Sequence, residues 1–163
     1  MVEEKVEYTA SQRMKAEIAG FIMSDGSKVL VTDKAEKPRV TTPDEAFAVF
    51  YKISELQSKR KECFVALALD AYRTVIDKQV ISVGSLASTL VHPREVFRFA
   101  IEAGAMALVV SHNHPSGNPE PSAEDLALTR RLRQSGEIIG IELLDHIIMA
   151  ENGFTSLKER GHL

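Results

Sequence analysis

The sequence predicts an α/β fold: a single mixed β-sheet flanked by helices, with a small N-terminal β-hairpin extension. Three observations predict it. The length, 163 residues, suits one domain with a full core. Two near-continuous apolar runs, residues 62–69 and 105–110, read as central strands buried on both faces. Between and around them, helical spacing alternates with strand-like runs in the order β-β-α-β-β-α-β-α-β-β.

Residues 1–16 carry no firm pattern. Residues 17–23 and 28–31 read as two short strands around the turn signal Ser24-Asp25-Gly26-Ser27. Residues 32–41 are polar, contain Pro38 and read as a linker, so residues 1–41 form an extension and 42–163 the main domain. Thr42-Pro43-Asp44-Glu45 is a helix start, with a capping residue, a proline in the first turn and a glutamate to complete a capping box. Apolar residues at Ala46, Phe47, Val49, Phe50, Ile53 and Leu56 carry that helix to about Ser58. The strand 62–69 follows, then a turn at Asp70-Ala71-Tyr72-Arg73 and a returning strand over 74–83. Pro93 opens a second helix to about Ala103, with Val96, Phe97, Ala100 and Ile101 as its core face and Gly104 as its stop. After the strand 105–110 and a Pro/Gly loop, a third helix covers 122–134, stopped by Ser135-Gly136. One or two strands lie within 138–150 around Gly140, a turn follows at Glu151-Asn152-Gly153, and 154–157 is a last short strand.

Composition argues against nucleic acid as a partner and against a membrane span. With 20 Lys+Arg against 23 Asp+Glu the net charge is −3, which gives no electrostatic reason for nucleic-acid binding. Arg130, Arg131 and Arg133 read as a solvated helix face. No apolar run approaches the about 18–20 residues of a membrane span, and the acidic start is not that of a signal peptide. The single cysteine, Cys63, cannot form an internal disulfide and reads as a small buried hydrophobe. A cytoplasmic setting is expected.

Residues 111–132 carry the chemistry. In extended backbone, residues i and i+2 point the same way, so His112 and His114 can face one point. Asp125, in the first turn of the helix capped by Ser122, points back toward the loop, and the helix N-terminus favours its ionised form. Two imidazoles and a carboxylate with an open fourth position match catalytic zinc in ligand type and count.

His112-x-His114, seven residues, Ser122, two residues and Asp125 match the JAMM motif of the JAB1/MPN metalloprotease superfamily. The surrounding text, Val91 to Phe97, Ser111 to Pro119 and Leu144-Asp145-His146-Ile147, resembles its bacterial RadC-like branch over about residues 40–163. The resemblance implies an MPN-type (cytidine-deaminase-like) domain with Zn2+ held by His112, His114 and Asp125. It further implies a glutamate that polarises the metal's water, for which Glu62-Cys63-Phe64-Val65-Ala66-Leu67 is similar to the family pattern, and a role for Ser122 in holding an oxyanion. The bland alternatives are a strand-edge charge for Glu62 and a plain helix cap for Ser122. Glu95 is a rival base but suits the helix start, and Asn113 fits the RadC-like branch. Asp145-His146 reads as a partnered pair inside the sheet, or else as a carboxylate orienting a ligand histidine.

The function expected is a zinc-dependent hydrolase of peptide or isopeptide bonds, acting on a peptide or protein substrate through water activated by Glu62. The alternative is a DNA-repair-associated or partner-binding MPN module with a structural metal, which would need a fourth ligand such as His92, His146 or Cys63. Longer RadC-like proteins resemble helix-hairpin-helix proteins in an N-terminal region, whose glycine-containing hairpins residues 1–41 lack. Edge strands near 17–31 could pair between copies, so a homo-oligomer is allowed.

Overall fold

Alternation along one strand sets the architecture. In a computed structural model, strand β3, Glu62–Leu69, is buried along nearly its whole length. Its odd-numbered residues Cys63, Val65, Leu67 and Leu69 join one core cluster, and Phe64, Ala66 and Ala68 join another. Successive side chains of a strand point to opposite faces, so the sheet has a core on each side. The structure describes residues 22–24, 27–29, 37–57, 60–84 and 91–163.

The chain divides into two compact units, Met1–Lys37 and Pro38–Leu163. In the first, β1 (Ile22–Ser24) and β2 (Ser27–Val29) pair antiparallel as a hairpin. The expected strand residues 17–21 and 30–31, the turn residues 25–26 and the linker residues 32–36 lie outside the described residues. In the second, β4 (Val75–Gly84), β5 (Ala107–Asn113), β6 (Glu142–Ala150) and β7 (Gly153–Ser156) join β3 in one sheet of order β4-β3-β5-β6-β7. The β5–β6 pair is parallel and the others antiparallel, so the sheet is mixed. Helix α1 (Pro43–Phe50) covers one face; α2 (Pro93–Glu102) and α3 (Ala123–Ile139) cover the other. This is the single mixed sheet flanked by helices that the sequence predicts, with the MPN-type architecture.

Several boundaries differ from expectation, each for a physical reason. Residues 38–40 are pinned to the β3–β4 turn: Val40 N–H donates to the Arg73 carbonyl at 2.9 Å and Val75 N–H to that of Pro38 at 2.9 Å. Helix α1 has the expected capping box but stops at Phe50, not near Ser58. There the bonds tighten to the i→i−3 pattern, Lys52 to Val49 and Ile53 to Phe50, and Ser54–Gln57 is a 3-10 turn. That turn keeps Ile53 and Leu56 on one buried face, so the periodicity reports burial and not helix continuity. On α2, Phe99 is buried and Ile101 exposed. The buried arc centres on Val96 and Ala100, and Ile101 falls past its edge. Strand β5 starts at Ala107 and runs on to Asn113, which places His112 inside the sheet.

Ser135-Gly136 does not stop α3. The helix runs to Ile139 and ends at Gly140, whose φ of 83° is the left-handed cap conformation. Gly136 is inside the helix because a Cβ there would lie 2.4 Å from the Ile141 carbonyl oxygen. Residues 138–139 therefore belong to the helix, and that segment holds one strand, β6, from Glu142 to Ala150.

Candidate metal centre

Three elements converge at the end of β5. Phe64 of β3 is in register with His112 of β5, and their rings stack at 6.3 Å. His112 is buried among them. His114 lies just past the strand, held by its N–H to the Met149 carbonyl at 2.7 Å. Asp125 arrives on the first turn of α3, with no exposed surface. Ligand atoms of His112, His114 and Asp125 all lie within 4.8 Å of one another.

The details are those of a cation site. His114 Nδ1–H donates to the Asn118 carbonyl at 2.8 Å, which leaves its Nε2 directed inward. That nitrogen is 2.9 Å from His112 Nε2 and 3.3 Å from Asp125 Oδ2. Asp125 Oδ1 is 3.2 Å from His112 Nε2 but receives no well-directed hydrogen bond, and it is fully buried. A buried carboxylate oxygen without a donor beside two converging imidazole nitrogens needs a positive charge between them. The residues present thus fit a metal ion, and zinc suits two nitrogens and one oxygen.

Electrostatics agree. Burial would raise the Asp125 carboxyl, but His112, His114 and the Ser122 hydroxyl outweigh it and hold the group well below the usual carboxylate range. Asp125, opposed in part by burial, pushes the His114 imidazole up, and Glu62 adds to the push.

Each expected site residue has a definite place. Glu62 starts β3, two residues from Phe64 and so on the same face of the sheet as the His112 ring. With Ser122 and His114 it lines an open groove of about 820 Å³. Ser122 caps α3: Asp125 N–H donates to its Oγ at 3.1 Å, and its hydroxyl donates to Asp125 Oδ2 at 2.7 Å. Its one proton is directed at a candidate ligand. Asn113, between the histidines, accepts from Cys63 N–H through Oδ1 at 2.7 Å and donates from Nδ2 to the Lys61 carbonyl at 3.0 Å. It clamps the backbone on both sides of Glu62. Glu95 stands apart, paired on the surface with Arg94 and Arg98. Cys63 is buried and free.

His146 differs from expectation. It makes no ring contact with Asp145, whose carboxylate instead accepts from the His146 backbone N–H, the Ser156 hydroxyl and the Lys158 N–H. The His146 ring lies against His112 and Thr129. His92 caps α2 by accepting from Arg94 N–H. Among the described residues, the cluster that could hold a metal has three members, without His92, His146 or Cys63.

Beside this centre lies a second groove of about 320 Å³ lined by Phe47, Tyr51, Leu56, His114 and Met149. Among the described residues, no helix is long and apolar enough to cross a membrane.

Residues 40–162 match the RadC-like JAB domain family. A UPF0758 protein of Shouchella clausii is 43% identical over 136 residues, 83% of this chain and 58% of that protein. One of Bacillus cereus is 50% identical over 113 residues, 69% of this chain and 50% of the relative. One of Halalkalibacterium halodurans is 42% identical over 138 residues, 85% and 59% of the two chains. The chain thus spans between half and three-fifths of the length of these curated relatives, whose names state no activity.

Proposed function

The chain belongs to the RadC-like JAB domain family, a family of metal-dependent hydrolase-like or structural modules, and from that premise we propose that it is a zinc-dependent hydrolase of peptide or isopeptide amide bonds. The observation that carries this reading is the orphaned Asp125 Oδ1, buried and facing the Nε2 atoms of His112 and His114. Those three atoms would hold the ion. Zinc bound there supplies Lewis acidity and brings the pKa of water toward about 7 in favourable cases.

This chain's residues do the rest. Glu62, at the edge of the groove, takes a proton from the attacking water as its oxygen bonds to the amide carbon. It returns that proton to the nitrogen as the C–N bond breaks. Asn113 holds the peptide units flanking Glu62. Ser122 holds Asp125 in place; a donor role toward an oxyanion would require its hydroxyl to leave Oδ2. A three-member ligand set supports an open position over a closed structural site, which usually has four protein ligands. The substrate is a peptide or protein, and the setting is cytoplasmic.

The test measures metal content and cleavage together. Pure protein should hold about one zinc per chain, and His112→Ala should lose it. Glu62→Gln should keep the zinc and lose about 10²–10⁴-fold in cleavage of a peptide library; chelator should remove the zinc and abolish cleavage. Stoichiometric zinc that survives His112→Ala would sink the site assignment, and cleavage that survives chelator would sink the mechanism.

A further inference from the structure

We propose that Thr129 and His146 form a hydrogen-bonded relay that fixes the tautomer of His112 and presents its Nε2 lone pair to the metal; this deepens the metal-site reading above. The relay spans three elements: Thr129 on α3, His146 on β6 and His112 on β5. All three residues are fully buried, so water does not compete for their hydrogen bonds. No pattern in the sequence links Thr129 to His146; only the fold brings them together.

The direction of the chain follows from counting protons. Thr129 Oγ1 is 2.6 Å from the Asp125 backbone carbonyl and 2.7 Å from His146 Nδ1. A hydroxyl has one proton but can also accept. A carbonyl can only accept, so the Thr129 proton goes to Asp125 and Oγ1 accepts from His146 Nδ1–H. His146 then has a bare Nε2, 2.8 Å from His112 Nδ1. His112 must therefore carry its proton on Nδ1 and donate it to His146. Its Nε2 is left bare, facing His114 and Asp125.

The opposite polarity would put a proton on His112 Nε2, 3.2 Å from Asp125 Oδ1 but not directed at it. That oxygen is the one buried carboxylate atom of the centre with no hydrogen-bond donor. The opposite polarity would also withdraw the Thr129 hydroxyl from its 2.6 Å partner. The geometry selects the polarity that frees Nε2. The relay begins at the backbone of one ligand, Asp125, and ends at the ring of another, His112. Thr129 and His146 are positioning residues that join two ligands before any ion arrives. Phe64 packs edge-on against His146 and flat against His112, which limits rotation of both rings.

Two measurements test this. The first is long-range nitrogen–proton NMR of the histidines in metal-free wild-type protein, above the ordinary histidine titration range. His112 should carry its proton on Nδ1, and Thr129→Val should populate the other tautomer. A proton on His112 Nε2 in the wild type would overturn the relay. The second is zinc affinity by chelator competition. His146→Leu removes the acceptor and should weaken binding about 10–100-fold. His146→Gln, which offers one acceptor and one donor, should recover most of that loss, and Thr129→Val should fall between. Folded His146→Leu and Thr129→Val proteins that bind zinc within about twofold of wild type would overturn the relay. If wild-type protein binds no zinc, the metal-site reading fails by itself, and the NMR result still decides the relay.

Discussion

Asn113 is the residue in which fold and chemistry are hardest to separate. The β3–β5 ladder is in register up to Phe64 opposite His112. Beyond that pair, the Asn113 amide takes over, accepting from Cys63 N–H and donating to the Lys61 carbonyl. Asn113→Ala would leave the buried Cys63 N–H without that acceptor, at a cost of about 1–3 kcal/mol. It would also release the strand end that carries Glu62. Denaturant unfolding should show the loss, and cleavage should fall while zinc content stays at the wild-type level. Unchanged stability would show that the clamp is idle. The juxtaposition of His112, His114 and Asp125 is legible in the sequence, because an i, i+2 pair and a first-turn carboxylate are local geometry. The ring contacts of His146 were not legible. The Asp145-His146 dipeptide suggested a pair, yet neighbours on a strand face opposite ways: Asp145 turns to Ser156 while His146 turns to His112.

At the scale of elements, turn and cap chemistry marked the starts of helices better than their ends. The capping boxes at Thr42 and Ser122 form as their sequences imply. The ends misled because glycine has two uses. Gly140 takes a left-handed cap conformation, whereas Gly136 sits within α3 to let the β6 approach pass close by. Gly136→Ala tests this. Helix propensity alone favours alanine by about 1 kcal/mol. The added Cβ would meet the Ile141 carbonyl oxygen at 2.4 Å and Phe97 Cζ at 3.3 Å. Backbone cannot yield as a side-chain tip can, so the substitution should destabilise by about 1–3 kcal/mol, seen as a lower midpoint in urea. A raised midpoint would mean that α3 shifts at no cost. The same logic explains α1: apolar spacing foretold the burial of Ile53 and Leu56, but not that a 3-10 turn would deliver them.

For the molecule as a whole, two histidines with opposite shifts make stability depend on pH. Burial, reinforced by His112, holds His146 well below its ordinary value of 6.5. The unfolded chain takes up that proton below about 6.5 and the folded protein does not, so stability falls as pH drops below that point. Asp125 raises His114 above 6.5, against the opposing effect of burial. Its contribution is fully present below 6.5 and is lost as pH rises through the folded value. Metal-free protein should therefore be most stable near pH 6.5, with each histidine contributing a slope of up to about 1.4 kcal/mol per pH unit on its own side. His114→Ala should flatten the alkaline side. Under the metal-site reading, zinc should move the maximum to higher pH, because His114 must lose its proton to act as a ligand. Urea unfolding from acid to mildly alkaline pH, with chelator and with zinc, measures all three effects. A single monotonic curve in chelator would show that His146 and His114 do not titrate as their surroundings dictate. A maximum that zinc leaves in place would separate the ion from His114.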